Sequence, residues 1–315
     1  MSTQAAQLDT YHPAFAAIVA DTAILEHVAA GFGATEGPVW QGDHLLFSDV
    51  PRSRTVRWQM RPEGPEVCTF LHPTGKGNGQ TLDHAGRLLR CEQGDRRLVR
   101  IERDGGVTVL AETYEGKRLN SPNDVVVHSG GAIYFTDPPF GLDNLRDGKE
   151  LPFNAVFRLD PDGTLTPVAD DCAMPNGICF SPDERTLYVA DTPALNVRAY
   201  DVRPDGSLAR SRVFADMDSP DIGRPDGMKV DDAGMLYCTG GGGVRVVSPD
   251  GVLLGRIRTP EQSRNLAFGD LDWRTLYITA GGGLYRIRLV ARGVPIGARR
   301  TYTGGKSSNV FGSLR

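Results

Sequence analysis

Residues 175–190 read PNGICFSPDERTLYVA, in which Asn176 stands twelve positions before Tyr188 of the apolar core LYVA. A carboxylate or carboxamide ten to twelve positions before a short apolar core occurs six times along the chain. The cores are LLFS at 45–48, LLRC at 88–91, IYFT at 133–136, LYVA at 187–190, LYCT at 236–239 and LYIT at 276–279. The polar residues are Glu36, Asn78, Asn123, Asn176, Asp226 and Asn265.

The spacing of these cores predicts the fold class. Successive cores lie 40 to 54 residues apart, which is about the length of one four-stranded propeller blade. Glycine-containing turns follow five of the cores, at residues 62–64, 103–105, 161–163, 204–206 and 249–251. Such turns are typical of hairpins between the outer strands of a blade. The sequence therefore predicts an all-β protein with the architecture of a six-bladed β-propeller.

The ring of blades needs a strand from the start of the chain. After the strand-like segment 281–289, blade six has no fourth strand of its own. The segment 23–28 reads AILEHV and is strand-like, so we expect it to complete the last blade and remove an open sheet edge. We predict one domain over residues 1–315, with an N-terminal extension (1–22), the propeller (23–289) and a C-terminal tail (290–315).

Composition excludes several classes of partner. The net charge is −4 and no basic stretch is present, so we expect no nucleic-acid partner. No apolar run approaches the roughly 18 residues of a membrane span, and no secretory leader precedes the propeller, so we expect a cytoplasmic protein without a membrane partner. The five cysteines include no C-x-x-C pair, which is typical of free thiols in a reducing compartment. We expect a monomer or a weak homo-oligomer.

The six repeated polar residues are candidates for a metal site. Equivalent positions of a propeller converge on its axis, where two carboxylates and four carboxamides form a set of hard oxygen donors. All six histidines fall outside the set. We therefore expect one divalent cation, Ca²⁺ first, with Mg²⁺, Mn²⁺ and Zn²⁺ as alternatives. Asn, Asp and Gly also make turns at strand entrances, and that explanation stays open for any single position.

Five motifs, in order and at blade spacing, resemble one known family. They are TEGPVW at 35–40, NSPNDVV at 120–126, YFTDP at 134–138, PNG at 175–177 and RPDG at 224–227. In these motifs the chain is similar to the gluconolactonase and senescence-marker-protein (regucalcin-like) family, from about residue 32 to residue 289.

The resemblance implies a function as well as a fold. It implies hydrolysis of sugar lactones by a propeller with one catalytic divalent cation in its central tunnel. Carried over by motif, the expected metal ligands are Glu36, Asn176, Asp226 and Asn123, of which Asn123 contacts either metal or substrate. Asp226 is the expected general base. The family places substrate contacts at the positions of Arg118 and Asn120.

Lactone chemistry is consistent with the rest of the sequence. A lactone is an activated ester, so water activated by a base suffices, and the chain has no G-x-S-x-G nucleophile motif. A polyhydroxylated substrate needs hydrogen-bonding groups at the mouth of the tunnel, for which we also consider Asp137 and Asn265. The long loop 138–147 is a candidate lid over the tunnel.

Two other functions stay open at this point. One is a propeller phosphotriesterase similar to diisopropyl fluorophosphatase, which would be expected to add a histidine in the tunnel. The other is a non-catalytic binding propeller, in which a ring metal only stabilises the fold.

Overall fold

Each of the six predicted repeats forms one antiparallel sheet in the computed structural model, which describes residues 2–297. The first strands of the sheets contact one another in a closed cycle, with the first strand of blade six against that of blade one. A cycle of this kind surrounds a central axis. The prediction of an all-β six-bladed propeller is therefore confirmed.

The strands of each blade run in order from the axis to the rim. Blade one has Thr35–Gln41, His44–Asp49, Arg54–Arg61 and Gly64–Leu71, and blade two has Gly77–Leu82, Leu88–Glu92, Arg97–Ile101 and Val107–Ala111. Blade three has Val125–Val127, Ile133–Asp137, Ala155–Leu159 and Leu165–Ala169, and blade four has Pro175–Phe180, Thr186–Asp191, Asn196–Val202 and Leu208–Asp216. Blade five has Met228–Val230, Leu236–Gly240, Gly243–Val247 and Leu253–Arg258. Blade six begins with Ser263–Gly269, Thr275–Ala280 and Gly283–Arg288, and a small hairpin, Thr113–Tyr114 with Lys117–Arg118, joins blades two and three.

The N-terminal strand closes the ring as predicted. Ile24–Ala30 pairs antiparallel with Gly283–Arg288 and forms the fourth strand of blade six. Arg286 adds two hydrogen bonds from its guanidinium to the Glu26 carboxylate, at 3.1 and 2.9 Å. This pair is partly exposed and contributes little by itself, so the ladder and the buried side chains of the strand supply most of the closure.

The residues before this strand also join the sheets. Ser2–Ala5 pairs with Ile24–Ala30 as a fifth strand of blade six, and Leu8–Thr10 pairs with Leu253–Arg258 as a fifth strand of blade five. The short 3₁₀ helix Pro13–Ala17 follows these two strands and precedes Ile24–Ala30 along the chain. The segment expected as an N-terminal extension therefore covers the outer edges of two neighbouring blades.

Helical structure in residues 2–297 is confined to two short 3₁₀ helices, Pro13–Ala17 and Asp143–Leu145. Neither of these described helices has the length or the apolar content to cross a membrane. The ordered secondary structure of the described chain is otherwise made of strands.

The repeated turns form the outer hairpins, as predicted. In three of them an aspartate accepts a hydrogen bond from the backbone two residues on: Gly106 N to Asp104 Oδ1, Thr164 N to Asp162 Oδ1 and Ser207 N to Asp205 Oδ1, each at 2.9 Å. The following glycines have positive φ angles between 78° and 90°, which side chains with a Cβ rarely adopt. The Asp-Gly pair therefore sets the hairpin geometry.

The core of the molecule lies between blades rather than inside them. Six clusters of buried apolar side chains occur in the described chain, and each joins two neighbouring blades. The cluster between blades six and one, for example, contains Trp40 and Trp58 of blade one packed near Tyr277 of blade six. Because every blade is buried on both faces, a single blade has no stable core of its own.

The chain after blade six crosses the axis at the end where the innermost strands finish. Gly293 forms a bridge with Asp231 of blade five, and the Gly293 N–H donates to the Trp273 carbonyl at 2.8 Å. Ile296 then packs against the cluster between blades one and two. Residues 298–315, the greater part of the expected C-terminal tail, lie outside the described residues.

Closure by the N-terminal strand predicts an asymmetry between two adjacent residues. Leu25 is buried in the cluster between blades five and six, whereas Ile24 is 45% exposed. We expect Leu25→Ala to lower the free energy of unfolding by about 2–5 kcal/mol. The matched control Ile24→Ala is expected to stay within about 0.5 kcal/mol of the wild type. Urea unfolding measures both, and equal effects would contradict the closure.

Candidate functional site

The six repeated polar residues lie where the innermost strands begin, at one end of the axis; we call them the ring. Their blades touch in sequence around that end. A Cβ on Gly37 would overlap the backbone carbonyl of Asn78, and a Cβ on Gly177 would overlap that of Asp226. Only glycine permits this close approach of neighbouring blades. Glycine after the ring residue therefore lets the backbones of neighbouring blades come together at these two positions.

Asn265 connects the last blade to the first through its side chain. Its Nδ2 donates to Glu36 Oε2 at 3.1 Å, while its Oδ1 accepts from the Leu266 N–H at 2.8 Å. Both ends of the amide are therefore engaged by protein atoms. Asn265 presents a donor to a carboxylate, and in this orientation it holds Glu36 rather than offering an oxygen to the axis.

Glu36 and Asp226, the two carboxylates of the ring, have raised pKa values. Burial raises the pKa of Glu36 to about 7; the hydrogen bond from the Gly37 N–H at 2.8 Å opposes this, and the charge of Asp124 adds to it. Burial also raises the pKa of Asp226 well above its ordinary range, and the charge of Glu36 adds to the effect. Their charges interact, so the ring concentrates negative charge that a cation would stabilise.

The carboxamide of Asn176 is held with its oxygen free. Its Nδ2 donates to Thr192 Oγ1 at 2.9 Å, and that hydroxyl donates onward to the Pro225 carbonyl at 2.8 Å. A side-chain hydrogen bond from Asn176 also lowers the pKa of Asp226. The amide oxygens of Asn176 and Asn78 are buried and accept no hydrogen bond within residues 2–297, and the same is true of the amide oxygens of Asn120 and Asn196 outside the ring. Buried oxygens without donors are candidate ligands for a cation.

Asp124 is a third axial carboxylate, which the sequence analysis did not select. It follows Asn123 at the position where four other blades have glycine. Its Oδ1 accepts from the Val125 N–H at 2.9 Å, and its Oδ2 lies 3.5 Å from Asn265 Nδ2. Burial raises the pKa of Asp124, and the charge of Lys229 opposes that rise. The aspartate in place of glycine at this position of the repeat was the sequence signal that could have identified it.

Two candidate substrate residues, Asn120 and Asp137, are fully buried and bonded to each other's backbone. The Asp137 carboxylate accepts from the Asn120 and Ser121 N–H groups, both at 2.7 Å. Asn120 Nδ2 donates to the carbonyls of Asp137 and Phe153, at 3.0 and 2.9 Å. Burial raises the pKa of Asp137 to about 7. The structure therefore places both residues behind the turn that leads to Asn123.

Arg118 occupies a different environment from these two residues. It is exposed on the small hairpin between blades two and three, where Glu150 Oε2 accepts from its backbone N–H at 2.7 Å. Its Nη2 donates a weak hydrogen bond to the Asp95 carbonyl at 3.4 Å. The guanidinium therefore stays available to a ligand at that surface.

The loop 138–147 contacts the turn before Asn123. The Gly141 N–H donates to Ser121 Oγ at 2.9 Å, and a Cβ on Gly141 would overlap that hydroxyl. The loop includes the 3₁₀ helix Asp143–Leu145. It thus lies over the ring end of blades two and three, and its role as a lid stays a prediction.

The opposite end of the axis contains a separate cavity of about 100 Å³. Its walls are the later residues of the innermost strands, such as Val39 and Phe180, and residues 294–297 form one side. Lys229, whose charge acts on Asp124, also lines it. The C-terminal segment therefore covers the end of the axis remote from the ring.

The donor set of the ring fits a hard divalent cation. Within residues 2–297 no group of three or more His, Cys, Asp or Glu side chains is placed to hold a metal ion. A metal centre here therefore depends on carboxamide oxygens in addition to carboxylates. Glu36 and Asp226 supply the negative charge, and Asn176 supplies an oriented oxygen without a donor. All of these are oxygen donors of the kind that Ca²⁺ prefers.

A family model described as the SMP-30/Gluconolactonase/LRE-like region matches residues 34–282. The chain belongs to this family. The matched region contains all six residues of the ring and ends within blade six, before its third strand. The N-terminal strands that complete blades five and six lie outside it.

Relatives within the SMP-30/gluconolactonase family support the same grouping. A gluconolactonase from Zymomonas mobilis is 35% identical over 312 residues, covering 90% of this chain and 86% of the relative. A pentonolactonase from Haloferax volcanii is 34% identical, covering 79% of this chain and 81% of the relative. The solved structure of a gluconolactonase from Xanthomonas campestris is 40% identical with a TM-score of 0.82, covering 91% of this chain and 95% of that one.

The position of Asp137 predicts a stability effect in this family member. Asp137→Ala would leave the Asn120 and Ser121 N–H groups buried without acceptors. We expect the free energy of unfolding to fall by about 2–6 kcal/mol, at about 1–3 kcal/mol for each lost acceptor. The control Asp170→Ala removes an exposed aspartate and is expected to be neutral. Denaturant unfolding distinguishes them, and a stable Asp137→Ala protein would contradict the supporting role.

Proposed function

We propose that this protein is a lactonase that hydrolyses sugar lactones to aldonic acids with the help of one divalent cation bound in the ring. One observation carries the proposal. Glu36, Asp226 and the unpartnered oxygen of Asn176 belong to the same end of the axis in a propeller of the gluconolactonase family.

In this proposal Glu36, Asn176, Asp226 and Asn123 hold the cation. Ca²⁺ is the ion that this set of oxygen donors fits best, with Mg²⁺, Mn²⁺ and Zn²⁺ as alternatives. When bound, such a cation polarises the lactone carbonyl and stabilises the negative charge that develops on its oxygen. Thr192 keeps the amide of Asn176 turned so that its oxygen stays free for this role.

Asp226 acts as the general base. It accepts a proton from water as the water oxygen forms a bond to the carbonyl carbon. The bond between that carbon and the ring oxygen then breaks, and the proton passes to the ring oxygen, which becomes a hydroxyl of the aldonic acid. Burial raises the pKa of Asp226, so its carboxylate is a stronger proton acceptor than that of an ordinary aspartate.

Of the remaining candidate residues, some contact the substrate and the others support residues of the site. Arg118 is exposed and makes a direct contact with the substrate hydroxyls, together with Asn123 where that residue is not engaged by the cation. Asn120 and Asp137 act on the substrate through the turn that they support. Asn265 acts by holding the carboxylate of Glu36.

The substrate class follows from the relatives and from the chemistry of the site. The Zymomonas relative is a gluconolactonase and the Haloferax relative is a pentonolactonase, and the two differ in the sugar. We therefore propose aldonolactones as a class. A cytoplasmic location accords with the five cysteines, which are all free thiols.

Metal-stripped protein tests the function directly. Hydrolysis of a panel of aldonolactones is measured after Ca²⁺, Mg²⁺, Mn²⁺ or Zn²⁺ is restored, one at a time. We expect activity to return with the cation and to be lost in Glu36→Gln. Asp226→Asn is expected to lower kcat by about 10² to 10⁴-fold, and Asp170→Asn serves as the neutral control.

The contrary results of that experiment are distinct. Hydrolysis that survives in Asp226→Asn while metal affinity falls would show that Asp226 is not the base. No lactone hydrolysis with any of the four cations would favour the non-catalytic binding propeller. Hydrolysis of organophosphates in place of lactones would favour a phosphotriesterase.

A second prediction concerns stability and pH. Without a cation the pKa of Glu36 is about 7, above its ordinary 4.5, so the folded protein loses stability as pH rises through 7 and the carboxyl ionises. A cation binds the ionised form and reverses this loss. At about 100 times its Kd, Ca²⁺ is expected to raise Tm by about 5 °C at pH 8.

Protons compete with the cation at lower pH. At pH 6 the apparent affinity falls by about tenfold, so the rise in Tm is expected to be about half as large. Thermal unfolding with and without Ca²⁺ at the two pH values measures both effects. An equal rise at both pH values, or a rise that persists in Glu36→Gln, would contradict the assignment of this carboxylate.

A further inference from the structure

Arg264 stands at an irregular position of the innermost strand of blade six, directly before the ring residue Asn265. Ser263 pairs with Ala280 and Asn265 pairs with Thr279, so Arg264 is the extra residue of a β-bulge. A bulge changes the direction of a side chain relative to a regular strand, and bulges are common beside active sites.

The backbone of Arg264 is fixed against blade five. Its carbonyl accepts from the Gly227 N–H at 2.7 Å and from Thr239 Oγ1 at 2.8 Å. Gly227 is the residue after Asp226, the proposed general base. The base of the Arg264 side chain is therefore held at a constant place beside the ring.

The guanidinium of Arg264 has no partner in the described part of the chain. No hydrogen bond or ion pair to it occurs in residues 2–297, and its Nε is buried without an acceptor. Arg264 is partly exposed, whereas the more deeply buried Arg90 and Arg256 are paired with the carboxylates of Glu92 and Asp9. A buried donor without an acceptor costs about 1–3 kcal/mol, so an unpaired one beside a site indicates a ligand.

Electrostatics places this charge near the ring. The positive charge of Arg264 lowers the pKa of Glu36 and that of Asp226, in both cases against the effect of burial. The guanidinium is thus within electrostatic range of both ring carboxylates, although it forms no ion pair with either. A ligand oxygen bound at the ring lies within reach of the same charge.

We infer that Arg264 is a substrate-binding residue that donates hydrogen bonds to the carbonyl oxygen of the lactone and, after hydrolysis, to the carboxylate of the aldonate. The inference rests on the proposed lactonase function and adds a residue to it. Its basis is the bulge, the backbone carbonyl that Gly227 fixes next to Asp226, and the guanidinium without a partner in residues 2–297.

The chemistry of the reaction gives arginine a specific use here. Negative charge grows on the carbonyl oxygen as water adds, and the product carries a full carboxylate at the same place. A guanidinium stays charged at all relevant pH values and binds a carboxylate through two parallel hydrogen bonds. Arg264 therefore stabilises the charge that develops in the reaction and recognises the acid that results.

An arginine that only offsets the ring carboxylates would behave differently. Such a residue would change the affinity for the cation and leave the binding of the product unchanged. A substrate-binding arginine changes kcat/KM and the affinity for the aldonate. The affinity for the product is therefore the measurement that distinguishes a substrate-binding arginine from one that only compensates charge.

The experiment compares Arg264→Gln, Arg264→Lys and the control Arg274→Gln. Arg274 belongs to the same blade, in the turn at its other end, and its substitution removes the same charge. For each protein kcat and KM are measured on the preferred aldonolactone, and the Kd of the corresponding aldonate is measured by calorimetry on the cation-loaded protein.

We expect Arg264→Gln to lower kcat/KM by about 10 to 100-fold and to weaken aldonate binding by a similar factor. Arg264→Lys keeps the charge but cannot form two parallel hydrogen bonds to a carboxylate. It is therefore expected to retain part of kcat/KM and part of the aldonate affinity. Arg274→Gln is expected to match the wild type. Thermal unfolding checks that each variant is folded. If Arg264→Gln does not fold, Arg264→Lys still allows the test.

Two results would overturn the inference. One is unchanged aldonate affinity and unchanged kcat/KM in Arg264→Gln, while the wild type remains an active lactonase. The other is a change in cation affinity alone. A wild-type protein that hydrolyses no lactone would instead refute the proposed function, and it would be recognised before any variant is compared.

Discussion

The pairing of the first strand of the propeller with the last blade is the constraint on which the rest of the structure depends. Ile24–Ala30 on Gly283–Arg288 joins the two ends of a ring whose blades have no separate cores. On the axis the same junction appears as the hydrogen bond from Asn265 of blade six to Glu36 of blade one. Because ligand geometry tolerates only small displacements, a site assembled from several blades requires a closed ring.

The closed ring allows an arrangement of charge that would be unstable elsewhere. Glu36, Asp226 and Asp124 are carboxylates with raised pKa values close to one axis, and burial is the largest cause in each case. Their ionisation opposes folding, whereas the apolar clusters between all neighbouring blades favour it. A site that is unfavourable by itself is thus supported by the rest of the fold, as is common where a protein binds a ligand.

Much of the fold and part of the site were predictable. The repeat period identified the blades, the Asp-Gly turns and the six ring positions, because equivalent residues of a propeller lie at equivalent radii. It did not reveal how each side chain is oriented. Asn176 keeps a free oxygen and Asn265 presents a donor, although the two occupy the same place in the repeat. Asp137 was expected at the mouth and is buried behind a turn, since its neighbours supply two backbone donors that only folding brings together.

The sequence by itself determined the number of blades, the closing strand and six of the positions at the axis, because these follow from local pattern and repeat length. Tertiary structure alone decided the charge and hydrogen bonding at the axis. The chemical roles of the third carboxylate, Asp124, and of the unpaired Arg264 depend on the side chains that other blades place beside them. Those neighbours are up to 229 residues away along the chain, as in the bond from Asn265 to Glu36. No local pattern contains such a contact, so its consequences for pKa and ligand binding become visible only in the folded ring.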